Sequence, residues 1–277
     1  MAIVDIHQHL WPAEVVERLA AREQPPCLRE SVVHIPGRAP FRLTPAESDP
    51  GVRLALLDRL GIDRALLSLS PTDRFDAELR EAWHAGITRV CAGSGGRLAA
   101  LSAGEPRDGF AGVCVAASRV VAGLGELAGA GLPLFVHPDS SPPPPAGAPA
   151  WWAGAIDYAA QMQAAYAAWL ERDAASHAET VIVFAILAGG APLLLERWRA
   201  RGGSLPEPPP GVLLDTASFG PQALGFCEQH NHGPRLVFGS DSPVLPAEPA
   251  LAAVRSVAGG AQVLARGGAA FPRMPPA

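Results

Sequence analysis

Eight short apolar runs, with helical patterns between several of them, constrain this chain more than any other feature. They are Ile3–His9, Ala65–Ser70, Arg97–Ser102, Gly109–Val115, Pro133–His137, Val181–Ile186, Val212–Thr216 and Arg235–Gly239. Most are continuously apolar rather than alternating, as in strands buried on both faces of a parallel sheet. Helical periodicity marks Phe75–His84 after the second run and Trp151–Arg172 before the sixth. It marks Leu193–Arg201 and Gln222–Gln229 after the sixth and seventh. Strands alternating with helices read as parallel βα units. Eight of them predict an α/β protein closed into a (β/α)8 TIM barrel, a fold of ~250 residues. The third and fourth runs leave little room for a helix between them.

Two segments break the rhythm. Trp11–Asp63 contains one predicted helix, Ala13–Arg22, followed by a Pro-rich stretch from Gln24 to Pro50. A long loop insertion after strand 1 would lie over the barrel mouth, where active sites are built. It makes His34, Arg29, Arg38 and Arg42 candidate substrate contacts. The second segment, Ser140–Ala150 (SSPPPPAGAPA), is a stiff polyproline-like connector, either a spacer or a rim of the pocket. The expected organisation is a single barrel domain over residues 1–266 and a frayed tail over 267–277.

Composition narrows the function classes. Hydrophobic residues are 48% and charged residues 18% of the chain, enough to bury a large core. A net charge of −5 argues against a nucleic-acid partner. No apolar run approaches the ~20 residues that span a bilayer, so no membrane partner is expected. MAIVDIHQHL has no signal-peptide pattern, and a cytoplasmic location is the default expectation. All 22 basic residues are arginine. Without lysine there is no Schiff-base chemistry, no P-loop and no metal pair bridged by a modified lysine. Cys27, Cys91, Cys114 and Cys227 are scattered, which predicts small buried hydrophobes rather than a disulfide or zinc framework. The expected partner is a small-molecule substrate, and a homodimer is compatible with the sequence.

Ligand-type residues gather at strand ends. In Asp5-Ile6-His7-Gln8-His9, the two histidines lie two apart on a strand and point to the same face. Burying two adjacent imidazoles without a partner is costly, so the pair reads as half of a metal site. His137 ends the fifth run and Asp241 follows the eighth. Three imidazoles and one carboxylate at the catalytic end of a barrel suit one divalent ion, Zn²⁺ first, then Mn²⁺ or Fe²⁺.

These pieces resemble the amidohydrolase superfamily, in particular the amidohydrolase-related branch that includes the aminocarboxymuconate semialdehyde decarboxylase type. The resemblance rests on DIHQHL, LFVHP, a Gly-Gly-x-Pro turn (Gly189, Gly190, Ala191, Pro192) followed by Arg197, LLDTAS and FGSDSP. They occur in the family's order between residues 5 and 243. It implies a single metal held by His7, His9, His137 and Asp241. The chain departs from the family where a histidine usually precedes the Gly-Gly turn: Ile186 or Leu187 stands there, and neither accepts a proton. Near the C-terminus, Gly259-Gly260-Ala261 stands where the family tends to have asparagine before alanine.

The leading expectation is metal-dependent hydrolysis of a small amide, ester or lactone through a metal-activated water. The alternatives are non-oxidative decarboxylation and a non-catalytic metal-binding barrel. Asp241 is the first candidate proton acceptor and Asp139 the second, although a residue like Asp139 often caps a turn. Asp215, ending the seventh run, is expected either to orient a ligand histidine or to be structural. Asp5 is expected to fix strand register. Trp11, Trp151 and Trp152 are expected to pack under loops or wall a pocket. His84, His177, His230 and His232 are expected at the surface.

Overall fold

All eight runs are strands in the computed structural model, which describes residues 2–230 and 232–274. They are β1 (Val4–Gln8), β2 (Arg64–Leu67), β3 (Leu98–Ala103), β4 (Gly112–Ala116), β5 (Leu134–His137), β6 (Ile182–Phe184), β7 (Val212–Asp215) and β8 (Leu236–Val237). They pair in chain order, every pair parallel. The ring closes where Ile6 N–H donates to the Phe238 carbonyl at 3.0 Å and Gln8 bridges Ser242. The (β/α)8 TIM barrel is therefore the observed fold. Its apolar strands have a simple cause: inward and outward side chains are both covered, so Phe135 and Val136 are each fully buried. No helix joins β3 to β4, as their spacing required.

The insertion after β1 is more ordered than expected. Beyond the helix Ala13–Ala21 it holds a small antiparallel sheet, Cys27–Arg29, Val32–His34 and Phe41–Arg42, a single helical turn, Pro45–Ser48, and a longer helix, Pro50–Leu60. That helix has local start and stop signals. The Asp49 side chain accepts from Gly51 and Val52 N–H, Pro50 occupies its first turn, and Gly61 ends it at φ 67°. Its apolar stripe is spoiled because one of its two buried side chains is Arg53.

Arg53 is a structural clamp. Its guanidinium donates to Gln8 Oε1 at 2.7 Å, to the His9 carbonyl at 3.1 Å and to the Ala46 carbonyl at 2.9 Å. Burial lowers its pKa to about 10, which leaves it charged at neutral pH. Gln8 passes the contact to Asp5, whose other oxygen accepts Ser240 N–H at 3.0 Å, so Asp5 does tie β1 to the segment after β8. Arg53→Met strands several buried acceptors at ~1–3 kcal/mol each. We expect it to destabilise the fold by about 3 kcal/mol or more in denaturant titration; a loss under ~1 kcal/mol would remove Arg53 from this role.

After β6 the chain makes a left-handed turn. Ile186, Leu187, Ala188, Gly189 and Gly190 have φ of 47°, 49°, 51°, 66° and 80°. For L-residues this costs roughly 1–2 kcal/mol each, and here three of the five carry side chains. The turn is buried, and Gln163 Nε2 donates to the Gly189 carbonyl at 2.7 Å. A Cβ on Gly189 would sit 2.1 Å from the Ala159 carbonyl oxygen. Gly189→Ala adds this clash to the left-handed strain and should cost about 2–5 kcal/mol, read as a lower thermal midpoint. An unchanged midpoint would contradict the turn.

The tail is partly structured. Gly267–Ala270 complete the helix Gly260–Ala270, Gly267 packs against Val4 and Ile6, and Phe271 and Met274 are buried. Of the expected frayed segment, residues 275–277 lie outside the described residues.

Candidate metal centre and its pocket

The strand ends bring the four expected donors together. One ligand atom each from His7, His9, His137 and Asp241 lies within 4.8 Å of the others. The ring centroids of the three histidines are 5.1–5.2 Å apart, and the rings stand nearly perpendicular to one another. Asp241 Oδ1 is 3.4 Å from His7 Nε2 and 3.2 Å from His9 Nε2. Its backbone is left-handed, at φ 63°, and its N–H donates to the His7 carbonyl at 2.8 Å. A strained non-glycine backbone held over β1 is the kind of outlier that functional sites keep.

Each imidazole is oriented through its Nδ1. His7 Nδ1 meets Asp215 Oδ2 at 2.6 Å, His9 Nδ1 meets the Ser68 carbonyl at 3.0 Å, and His137 Nδ1 meets the Pro138 carbonyl at 2.9 Å. With Nδ1 donating, Nε2 keeps the lone pair that a metal requires. His7 Nε2 is buried and has no hydrogen-bond partner. Three imidazole nitrogens, one of them this orphaned buried Nε2, and a carboxylate oxygen fit one divalent ion.

The carboxylates make the cluster attractive to a cation, which without a metal is a proton on His7. Burial opposes charge on His7, but Asp215 and Asp241 outweigh it and raise the imidazole to about 9. Burial, with the neighbouring His9 and His7, pushes His137 well below the ordinary histidine range. Burial favours a neutral Asp241, but the surrounding imidazoles reverse this and hold its carboxyl below the usual carboxylate range.

Asp215 takes the orienting role. Its second oxygen accepts Ile186 N–H at 3.1 Å and Ala217 N–H at 2.6 Å, so it links the left-handed turn to His7. Losing such an outer partner typically weakens metal binding ~10–100-fold. We expect Asp215→Asn to do so in metal-competition titrations with a chromophoric chelator; unchanged affinity would make Asp215 purely structural.

A cavity of about 300 Å³ opens beside His9, lined by Trp11, Arg38, Phe41, Thr72, Asp73 and Val244 among others. Arg38 Nη1 donates to Asp73 Oδ1 at 2.8 Å and Trp11 Nε1 to Asp73 Oδ2 at 3.1 Å. Burial raises the Asp73 carboxyl despite Arg38 and His9. Burial raises the Tyr158 phenol, with Arg38 and Thr72 opposing it.

Among the insertion's candidate contacts, only Arg38 lines this cavity. Arg29 donates to the carbonyls of Ala20 and Arg22, while His34 and Arg42 belong to the small sheet. Asp139 is not in the cluster: its Oδ2 accepts Ser118 N–H at 3.3 Å. His84 corrects the surface expectation. It is buried, and its Nε2 accepts Ala103 N–H at 3.0 Å. Burial, with Arg107 nearby, lowers it to about 4 and keeps it neutral. Trp151 is exposed and stacks on Trp152. Arg53, Thr72, Asp73 and Tyr158 were not singled out in the sequence; the Asp49-Pro50 pair, a helix-start pattern, is the signal that could have placed Arg53 on a helix.

No family model and no curated protein matches this sequence. Solved structures do match. IDCase from Metarhizium anisopliae aligns with a TM-score of 0.80 at 18% identity, over 98% of this chain and 97% of that one. A 5-carboxyvanillate decarboxylase from Novosphingobium aromaticivorans, complexed with manganese and 4-hydroxy-3-methoxy-5-nitrobenzoic acid, aligns at 0.66 and 16%, over 95% and 92%. A Staphylococcus aureus protein assigned to the amidohydrolases aligns at 0.68 and 12%, over 98% and 100%. This chain has the barrel fold of these solved structures. It shares that fold along nearly its whole length, with a cluster of metal-ligand type at its mouth.

Proposed function

We propose that the protein is a metal-dependent enzyme that decarboxylates a small aromatic acid without an oxidant. The observation that carries this reading is apolar Ile186 and Leu187 in the buried turn beside the metal centre. Hydrolysis needs a base that takes a proton from water. Decarboxylation needs the opposite: R–COO⁻ loses CO₂, and the electron pair left on carbon takes up one proton to give R–H. The decarboxylases of the same fold support the choice.

His7, His9, His137 and Asp241 would hold the ion, zinc by its nitrogen-rich donor set, with manganese the second choice from the manganese-bound neighbour. When bound, it supplies Lewis-acid polarisation of the substrate's oxygens. Arg38 offers a guanidinium to a carboxylate in the cavity. Phe41 and Trp11 wall an aromatic ring. Asp241 Oδ1 faces His7 and His9, and Oδ2 has no partner among the described residues; ionised at rest, this oxygen would take a proton from the substrate's hydroxyl or from solvent and pass it to carbon.

Hydrolysis of an amide, ester or lactone is the second reading, favoured by the same Asp241 carboxylate acting as proton acceptor. The two separate in D₂O. Metal-replete protein acting on ortho-hydroxybenzoates should release CO₂ and leave one deuterium at the former carboxyl carbon. Turnover confined to esters or lactones, with oxygen from solvent in the product, would reject decarboxylation.

A further inference from the structure

The cavity beside His9 does not end at Arg38. A groove of about 500 Å³ continues from it, sharing Arg38, Phe41 and Thr72 with the cavity. One wall is the loop of residues 36–41 and the other is the proline segment of residues 140–150, which here forms a pocket rim. Trp152 and Tyr158 supply aromatic surface.

The charge in this groove is one-sided. Its lining contains two guanidiniums, Arg38 and Arg74, and no carboxylate. Arg38 is already engaged with Asp73. The Arg74 guanidinium makes no hydrogen bond or ion pair with any described residue, in contrast to those of Arg18, Arg59, Arg97 and Arg119, which all meet carboxylates; only the Arg74 backbone N–H is bonded, to the Pro71 carbonyl. Arg74 is nevertheless placed. Its backbone is left-handed at φ 53°, and its guanidinium lies over Gly37, within 3.5 Å of where a Cβ would stand. Ser141 lines the same groove, and its buried hydroxyl also lacks a partner. Past Arg74 lies a further hollow lined by Arg80, Arg119 and Glu105, where Glu105 pairs with Arg119 at 2.6 Å and so leaves Arg74 and Arg80 without a carboxylate in the lining to meet.

We infer that this groove binds a second anionic group on the substrate, with Arg74 as the residue that selects for it. The ligand class is an aromatic acid with two anionic groups, one directed to the metal end beside His9 and the other paired with Arg74. The guanidinium fork suits a second carboxylate, and Arg74, exposed to solvent at the edge of the groove, has no protein partner to give up in accepting one. The inference rests on the proposed function only in placing the reacting end at His9.

Calorimetric titration of the metal-loaded protein tests it, with benzoate against isophthalate, terephthalate and biphenyl-4,4′-dicarboxylate, whose carboxylates span increasing distances. At least one diacid should bind about tenfold or more tighter than benzoate, the size of one charge-assisted hydrogen bond. Arg74→Gln should bring that ratio close to one. Arg74→Lys, with the charge kept on the same backbone, should retain part of it. Metal content and thermal midpoint, measured on each variant, show that the fold is kept. A ratio near one in the wild type, no diacid binding, or a ratio unchanged in Arg74→Gln overturns the groove. Repeating the titration after chelation separates the two readings. Discrimination that survives metal removal upholds the groove even if the metal-dependent reaction fails.

Discussion

His137→Ala is expected to strip the protein of its divalent ion. The wild type, expressed with adequate metal and dialysed, should retain one ion per chain. The variant keeps His7, His9 and Asp241 but loses the imidazole that closes the cluster from β5. Loss of a partner outside the ligand set already costs ~10–100-fold in affinity. Loss of a ligand should cost more, at least about a hundredfold, and leave occupancy after dialysis well below one. Thermal unfolding gives an independent reading. An ion that binds only the folded chain stabilises it by ~2.7 kcal/mol at a hundred times its Kd. Added metal should therefore raise the wild-type midpoint and leave the variant's nearly unmoved. Full occupancy in the variant, or less than a small fraction of an ion in the wild type, would mean that this cluster is not the centre.

Asp241→Asn, assayed at saturating metal, is expected to cost about 10²–10⁴-fold in turnover, the usual contribution of a positioned acid or base. The amide retains an oxygen near His7 and His9 but has no proton to exchange at neutral pH. A histidine at Ile186 or Leu187 then distinguishes the two chemistries. Both positions are left-handed, a conformation in which histidine is found more readily than a β-branched residue. The substitution is thus compatible with the turn's backbone. If hydrolysis is held back by a missing base, Ile186→His or Leu187→His should raise ester or lactone hydrolysis by up to ~10²–10⁴-fold. If decarboxylation is the reaction, neither variant should gain it. Full activity of Asp241→Asn would exclude Asp241 as the proton carrier under either chemistry.

The barrel and its four donors were legible in the sequence because both are written locally. A parallel strand covered on both faces must be apolar throughout, and Leu134-Phe135-Val136 shows this without any knowledge of its neighbours. Spacing of two on a strand puts His7 and His9 on one face in any fold that contains that strand. His137 and Asp241 were found because they follow apolar runs, and strand ends are where barrels place their chemistry.

The pocket was not legible in this way. Arg38 was one of four candidates that the insertion's position offered, but Thr72, Asp73 and Tyr158 come from the turn after β2 and a distant helix, and no period relates them to it. Arg53 even hid the helix that carries it, since its burial depends on meeting Gln8 and two carbonyls from other segments. The left-handed run from Ile186 had no local signal either, because isoleucine, leucine and alanine all resist that conformation. It persists where Asp215 and Gln163 hold its backbone. The sequence by itself determined the eight-stranded barrel and the candidate ligand residues at its strand ends, because strand periodicity and strand ends are properties of short segments. Only the tertiary structure decided the pocket, the placing of Arg74 in its groove and the left-handed path of the turn through Ile186 and Leu187, because those depend on which distant segments meet and satisfy one another's polar groups.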